Sequence, residues 1–77
     1  MSRRARAARR LASILGNHFN LAVRVWFDRD TRRYRCTWTG GPDVDAMYKQ
    51  AVIHAEQVPE LDVAQIVYDR QAPPTHS

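Results

Sequence analysis

The feature that most constrains the fold is a pair of alternating segments separated by four polar residues. Every second residue is apolar along residues 20–28, and residues 33–39 repeat the pattern, which is typical of half-buried β-strands. Residues 29–32 between them have the length and composition of a hairpin loop. Matching the two apolar faces sets one register, in which Phe27 lies opposite Tyr34, Val25 opposite Cys36, and Val23 opposite Trp38. A shift by one residue would break all three pairs.

The same register predicts the composition of the other face of the hairpin. It places Asp28 opposite Arg33, Trp26 opposite Arg35, and Arg24 opposite Thr37. An indole among guanidinium groups offers a surface on which a nucleic-acid base could stack. A tryptophan on the less buried face of a small sheet is, however, more often covered by another element of the protein than left open to solvent. We therefore expect Trp26 to be buried by the first helix or by a second copy of the chain.

A basic amphipathic helix is predicted over residues 3–15, and Gly16-Asn17 predicts its end. On a helical wheel, Ala5, Ala8, Leu11, Ala12 and Leu15 fall on one side, and Arg3, Arg6, Arg9, Arg10 and Ser13 on the other. Arginines in the first turn oppose the helix dipole. We therefore expect either that this turn frays or that an anion binds there, with a solvated basic face as the alternative.

A second helix and a third strand are predicted in the other half of the chain. Residues 40–43 end the second strand and place Pro42 near the first position of a helix over residues 43–57. The helix has an apolar stripe at spacings of three and four, formed by Val44, Met47, Tyr48, Ala51, Val52 and Ala55. Residues 58–62 end it, and residues 63–69 alternate as a strand.

These elements predict an α+β fold in a single small domain, residues 1–70, with the order helix, strand, strand, helix, strand. A right-handed crossover would bring the third strand beside the first. The predicted sheet is therefore antiparallel and three-stranded, in the order second, first, third, with the second helix packed on one face. The basic N-terminal helix joins it there, covers the opposite face, or projects to a partner. Residues 71–77 are predicted to be a disordered tail.

Charge is distributed very unevenly along the chain. Residues 1–35 carry ten of the twelve basic residues against two aspartates, a formal charge of +8, whereas residues 36–77 carry two basic residues against six acids, a formal charge of −4. Eleven of the twelve basic residues are arginines, whose forked donors suit phosphate and carboxylate. This separation favours a binding surface for an anionic partner.

The sequence offers little support for catalysis, cofactors or metals. His18, His54 and His76 are scattered, and two aspartates beside a hairpin loop are more often turn formers than cation ligands. There is no glycine-rich phosphate loop and no nucleophile beside a base. We expect no enzyme activity, no metal or cofactor, and no membrane span.

A lone cysteine favours a reducing, cytoplasmic setting. The acid-free, arginine-rich start also has the composition of a transit peptide, although it continues into a predicted core strand.

Two functions remain as hypotheses. The first is a small nucleic-acid-binding protein, regulatory or architectural, in which arginines contact DNA or RNA phosphates and Trp26 offers a ring for stacking. The arginines are Arg3, Arg6, Arg9, Arg10, Arg24, Arg32, Arg33 and Arg35. The alternative is a protein–protein interaction module, such as a phage- or plasmid-encoded inhibitor or adaptor that docks on an acidic host protein. A chain of 77 residues has a marginal core, so a homodimer is also expected. If Arg3, Arg6 and Arg10 lie on one surface with Arg24 and Arg35, nucleic-acid binding is favoured. If they lie on opposite sides, the interaction module is favoured.

Overall fold

The computed structural model describes residues 2–74. Its elements are α1 (Arg3–Phe19), β1 (Val23–Asp28), β2 (Arg33–Thr39), α2 (Val44–Ile53) and β3 (Val67–Gln71), with two short 3-10 turns, Ala55–Gln57 and Val63–Gln65, between α2 and β3. The predicted α+β class and element order are confirmed. Gln71, expected to begin the tail, is the last residue of β3. Residues 72–74 are exposed without regular secondary structure, and the rest of the predicted tail, residues 75–77, lies outside the described residues.

The hairpin has the predicted register at every position. All six β1–β2 pairs agree, from Val23 opposite Trp38 to Asp28 opposite Arg33. The turn is held by the side chain of Asp28, whose Oδ1 accepts a hydrogen bond of 2.9 Å from the backbone N–H of Asp30. Arg32 closes the turn in the left-handed region, with φ of 58°. The alternation of apolar residues was therefore sufficient to fix this pairing.

Helix α1 is longer than predicted, because Gly16 lies inside it rather than at its end. The helix continues to Phe19, and Asn20 ends it in the left-handed region with φ of 55°. The N–H groups of Asn20 and Leu21 both donate to the carbonyl oxygen of Gly16. A Cβ on Gly16 would lie 2.8 Å from the carbonyl oxygen of Leu21. The glycine thus permits a close backbone approach and does not stop the helix.

The boundaries of α2 and β3 also differ from the prediction. Asp43 is the N-cap of α2, accepting a 2.8 Å hydrogen bond from the N–H of Ala46, and the helix ends at Ile53 instead of continuing to residue 57. The first residues of the predicted third strand form a 3-10 turn, because Asp62 caps them through the N–H of Ala64. The strand therefore begins at Val67 and runs to Gln71.

The predicted sheet topology is wrong. The sheet is mixed, with the order β1-β2-β3, and β3 pairs parallel to β2 instead of antiparallel to β1. Helix α1 packs over β1, and α2 packs over β3 and against α1. A helix is about 10–12 Å wide, whereas strands lie about 4.8 Å apart, so two helices side by side cover three strands. Because α1 already occupies the β1 side, α2 returns the chain to the free edge of β2.

Both helices share one face of the sheet and enclose a single core. The side chains with less than 2 % exposure and the largest volumes are Leu11, Leu15, Cys36, Met47 and Val58. On α1 the buried alanines are Ala7 and Ala8, whereas the predicted Ala5 is only half-buried. Half of the predicted α2 stripe is exposed, namely Val44, Tyr48 and Val52. The opposite face of the sheet is not covered by any element among residues 2–74.

Candidate functional site

The predicted arginines do not form one continuous surface. Because α1 packs on the core-facing side of the sheet, its exposed arginines point away from the molecule on the helical side. Arg24, Trp26 and Arg35 belong to the opposite face of the sheet, as the strand register requires. Arg3, Arg6 and Arg10 therefore do not line up with Arg24 and Arg35. This is the arrangement expected to favour the interaction module over nucleic-acid binding.

Trp26 lies on the uncovered sheet face. Its side chain is half-buried, and the guanidinium carbon of the exposed Arg24 sits 4.3 Å from the centroid of its ring. This is a cation–π contact, which stabilises an exposed pair by about 0.5–1 kcal/mol. The expectation that α1 buries Trp26 is wrong, because α1 lies on the other side of the sheet. Burial by a second copy stays a prediction.

Arg35 is engaged by carboxylates on this uncovered face. Its Nη1 lies 3.4 Å from Oδ2 of Asp28, and its Nη2 lies 3.2 Å from Oδ2 of Asp69. The amide of Gln71 donates to the same Asp69 oxygen. The N–H of Asp30 and the guanidinium of Arg35 hold the pKa of Asp28 below its ordinary value, against the opposing effect of desolvation. Two acidic partners offset the charge of Arg35, so this residue is poorly placed to bind a phosphate.

The exposed arginines of α1 form a stripe on the helical side. Arg3, Arg6 and Arg9 are exposed there. Arg10 is exposed too, but its Nη1 donates a 3.1 Å hydrogen bond to the carbonyl oxygen of Gln57, in the first 3-10 turn after α2. The start of the helix is fixed by Ser2, whose Oγ accepts from the N–H of Ala5 at 3.0 Å. The basic first turn is thus capped despite its unfavourable position in the helix dipole.

The start of α1 lies beside the turn of the hairpin. Helix α1 and β1 are joined by a short connection and pack against each other, so the chain reverses direction between them. At this end of the molecule, Arg4 of α1 meets Arg32 and Arg33 of the hairpin along one open cleft of about 410 Å³. We call this the hairpin-end cleft; its lining residues are Arg4, Phe27, Arg32, Arg33, Tyr34, Glu60, Leu61, Asp62, Gln65 and Ile66.

The hairpin-end cleft combines cationic, aromatic and acidic side chains. Phe27 is 47 % exposed and contacts Tyr34 edge to face, with ring centroids 5.3 Å apart. Glu60 and Asp62 line the cleft together with the three arginines. Guanidinium groups donate to phosphate or carboxylate, carboxylates accept from hydroxyl or amine groups, and an exposed aromatic ring can stack. The cleft therefore has the groups needed to hold a polar, anionic ligand with an aromatic part.

Sequence reasoning identified Arg32 and Arg33 but missed the other cleft residues. Phe27 was expected to be in the core, because its position in the alternation is the same as that of Val25. It lies at the end of the core-facing side, where the start of α1 leaves it partly exposed. Arg4 and Glu60 are far apart in sequence, and no local pattern connects them. The short connection between the first helix and the first strand is the signal that could have found this site. If the two elements pack against each other, residue 4 falls beside residues 32 and 33.

Other kinds of site receive no support from the described residues. Within residues 2–74, no group of three or more His, Cys, Asp or Glu side chains is placed to hold a metal ion, and no helix is long and apolar enough to cross a bilayer. Cys36 is fully buried, and burial raises the pKa of its thiol to about 12, which opposes a nucleophilic role.

Comparison with known proteins found no relative. No protein-family model matches the chain, and neither the curated proteins nor the solved structures include a significant match.

Proposed function

We propose that this protein binds nucleic acid, and that the phosphate contacts come from the arginines at the hairpin end. The arginines of α1 and those of the sheet face lie on opposite sides, so the proposal does not rest on a continuous patch. The observation that carries it is that Arg4, from the start of α1, lines the same cleft as Arg32 and Arg33. Three further arginines belong to the same segments, Arg3 and Arg6 on α1 and Arg29 in the turn, and all three are exposed. Together these six arginines outnumber the four carboxylates of the turn and the cleft, which are Asp28, Asp30, Glu60 and Asp62.

The proposed affinity comes from guanidinium–phosphate contacts and the release of counterions. For duplex DNA, the logarithm of affinity falls with the logarithm of salt concentration by about 0.9 for each phosphate contacted. Four engaged arginines therefore predict a slope of about −3.6. A phosphate beside the first turn of α1 would also relieve the opposition between its arginines and the helix dipole. Nothing in these contacts reads base sequence.

The test is a fluorescence anisotropy titration with a labelled 15-base-pair duplex at several salt concentrations. Wild type is compared with the double variant Arg32→Gln/Arg33→Gln and with Arg70→Gln. Because β3 runs parallel to β2, Arg70 lies at the opposite end of the sheet from the hairpin turn. The double variant should flatten the salt slope by about 1.8, and Arg70→Gln should leave it unchanged.

Two results would contradict this proposal. One is the absence of wild-type binding to duplex DNA, single-stranded DNA and RNA at low salt. The other is an equal loss per arginine removed at the two ends, which would indicate a response to net charge alone. Circular dichroism of each variant checks that the fold is retained.

The uncovered sheet face favours a second candidate, a protein–protein interaction module that docks on an acidic protein. Trp26 is half-buried there without a covering element, and tryptophan and arginine are the residues most enriched in interface hot spots. Under this hypothesis, a stoichiometric protein partner remains bound after nuclease treatment. It is lost with Trp26→Ala and retained with Arg32→Gln/Arg33→Gln. The opposite pattern would exclude the sheet face as the docking surface.

A further inference from the structure

We infer that the hairpin-end cleft holds one unpaired nucleotide, with its phosphate on the arginines and its base on Phe27. This inference rests on the proposed function and names the form of nucleic acid that the site prefers. The cleft volume of about 410 Å³ is within the range of about 300–1,000 Å³ that is usual for small-ligand sites. A duplex keeps its bases stacked inside, so it can offer such a cleft only its backbone.

The aromatic ring available for stacking is that of Phe27 and not that of Trp26. Phe27 lines the same cleft as Arg4, Arg32 and Arg33, and almost half of its surface is exposed. Trp26 lies on the opposite face of the sheet, where the guanidinium of Arg24 already occupies a position over its ring at 4.3 Å. Single-stranded nucleic acid is held by a combination of stacking on aromatic rings and positive charge along the backbone. The cleft brings these two features together.

The acidic residues of the cleft indicate a ligand that has hydrogen-bond donors as well as a phosphate group. Glu60 and Asp62 line it as well as the arginines, and both carboxylates would repel a phosphate that came close to them. As acceptors, they can instead receive hydrogen bonds from a sugar hydroxyl or from an exocyclic amine of a base. A nucleotide has an anionic end and a neutral end rich in such donors. Its two ends therefore match the two kinds of charged group that line the cleft.

The first test compares binding of labelled single-stranded dT15 and rU15 with binding of the 15-base-pair duplex. Phe27→Ala should weaken single-strand binding by roughly 5- to 150-fold, since a stacked base is worth that much on alanine substitution, and should leave duplex binding within about twofold. Phe19→Ala is the aromatic control, because Phe19 ends α1, at the opposite end of the molecule from the cleft. Since Phe19 packs partly against the core, circular dichroism checks that this variant keeps its fold. It should leave both affinities within about twofold. Equal binding of single strand and duplex, with no selective effect of Phe27→Ala, would overturn the inference.

The second test uses the wild-type chain and does not depend on a variant folding. Addition of dT5 to the ¹⁵N-labelled protein should shift the amide signals of Phe27, Arg33 and Gln65, and should leave the indole signal of Trp26 in place. Shifts centred on that indole would overturn the inference in favour of the sheet face. Competition with thymidine monophosphate then distinguishes the source of the nucleotide, because a free nucleotide that displaces dT5 at equal concentration is itself the preferred ligand.

The outcomes separate the two proposals. If the wild type binds no nucleic acid at low salt, both the proposed function and the cleft inference fail. If it binds duplex with the salt slope expected above but shows neither single-strand preference nor shifts at Phe27, phosphate binding stands and the cleft inference fails.

Discussion

Replacing Gly16 with alanine tests the close backbone approach that ends α1. Gly16 lies within the helix, and alanine is a better helix former than glycine by about 1 kcal/mol. Helix propensity alone therefore predicts a stabilised protein. The structure predicts the opposite, because the new Cβ would lie 2.8 Å from the carbonyl oxygen of Leu21. Gly16 also accepts a 3.0 Å hydrogen bond from the N–H of Leu21, so the two residues cannot separate without weakening that bond.

The expected magnitude follows from these two opposing effects. Forcing an extra carbon into a packed site costs about 1–3 kcal/mol, whereas the gain in helix propensity is about 1 kcal/mol. The net result is a decrease in the free energy of unfolding of about 1 kcal/mol. For a domain of this size, that corresponds to a fall in Tm of about 4–8 °C.

The assay is thermal and urea unfolding followed by circular dichroism at 222 nm. Ser13→Ala is the matched control, because Ser13 is exposed on the same helix and alanine there adds no contact. It should raise Tm slightly through helix propensity. A rise in Tm for Gly16→Ala as well would refute the reasoning, since it would mean that the connection to β1 adjusts without cost.

Three further predictions concern the core and the hairpin turn. Leu11→Ala should lower the free energy of unfolding in urea by about 2–5 kcal/mol, because Leu11 is completely buried and leaves a cavity. Folding lowers the pKa of Asp28 below its ordinary value of 3.8. The ionised carboxylate therefore contributes its full stabilisation above pH 3.8, and this stabilisation is lost as the pH falls through the lower pKa of the folded state. Asp28→Asn should therefore flatten the decline in urea midpoint below about pH 4. Thiol labelling of Cys36, which is fully buried, should proceed only through opening of the fold. Its rate should fall about tenfold for each 1.4 kcal/mol by which the free energy of opening rises.

The sequence predicted the hairpin and the existence of both helices, because these depend on local periodicity. The β1–β2 register follows from an alternation that pairs apolar with apolar residues at three successive positions. Helix boundaries were less accurate. A glycine followed by an asparagine is typical of a helix end, so Gly16 was predicted to stop α1. Its role is to allow the close approach of the Leu21 backbone, which occurs only in the folded chain.

The sheet order could not be read from local patterns. The predicted strand over residues 63–69 would alternate in the same way beside β1 or beside β2. The choice depends on where α1 packs, and the sequence left three positions open for that helix. Since α1 covers β1, the crossover places β3 beside β2, and the sheet becomes mixed.

The sequence predicted which types of residue form the candidate site, but not where on the molecule they come together. Arg32 and Arg33 were identified from charge, whereas the division of the arginines between two sides of the molecule required the position of α1. Phe27 lies on the same side of β1 as the buried Val25. It is 47 % exposed because the helical layer ends before it covers this end of the strand.

The parallel pairing of β3 with β2 has a consequence for the order in which the sheet forms. The β1–β2 hairpin closes over a short turn, whereas residues 40–66 separate β2 from β3. Closing the longer connection costs more chain entropy, so the β2–β3 pairing should form after the hairpin. Until it forms, β2 has an unpaired backbone edge that can join another chain. Refolding from urea at high protein concentration should therefore give more aggregate than refolding at low concentration.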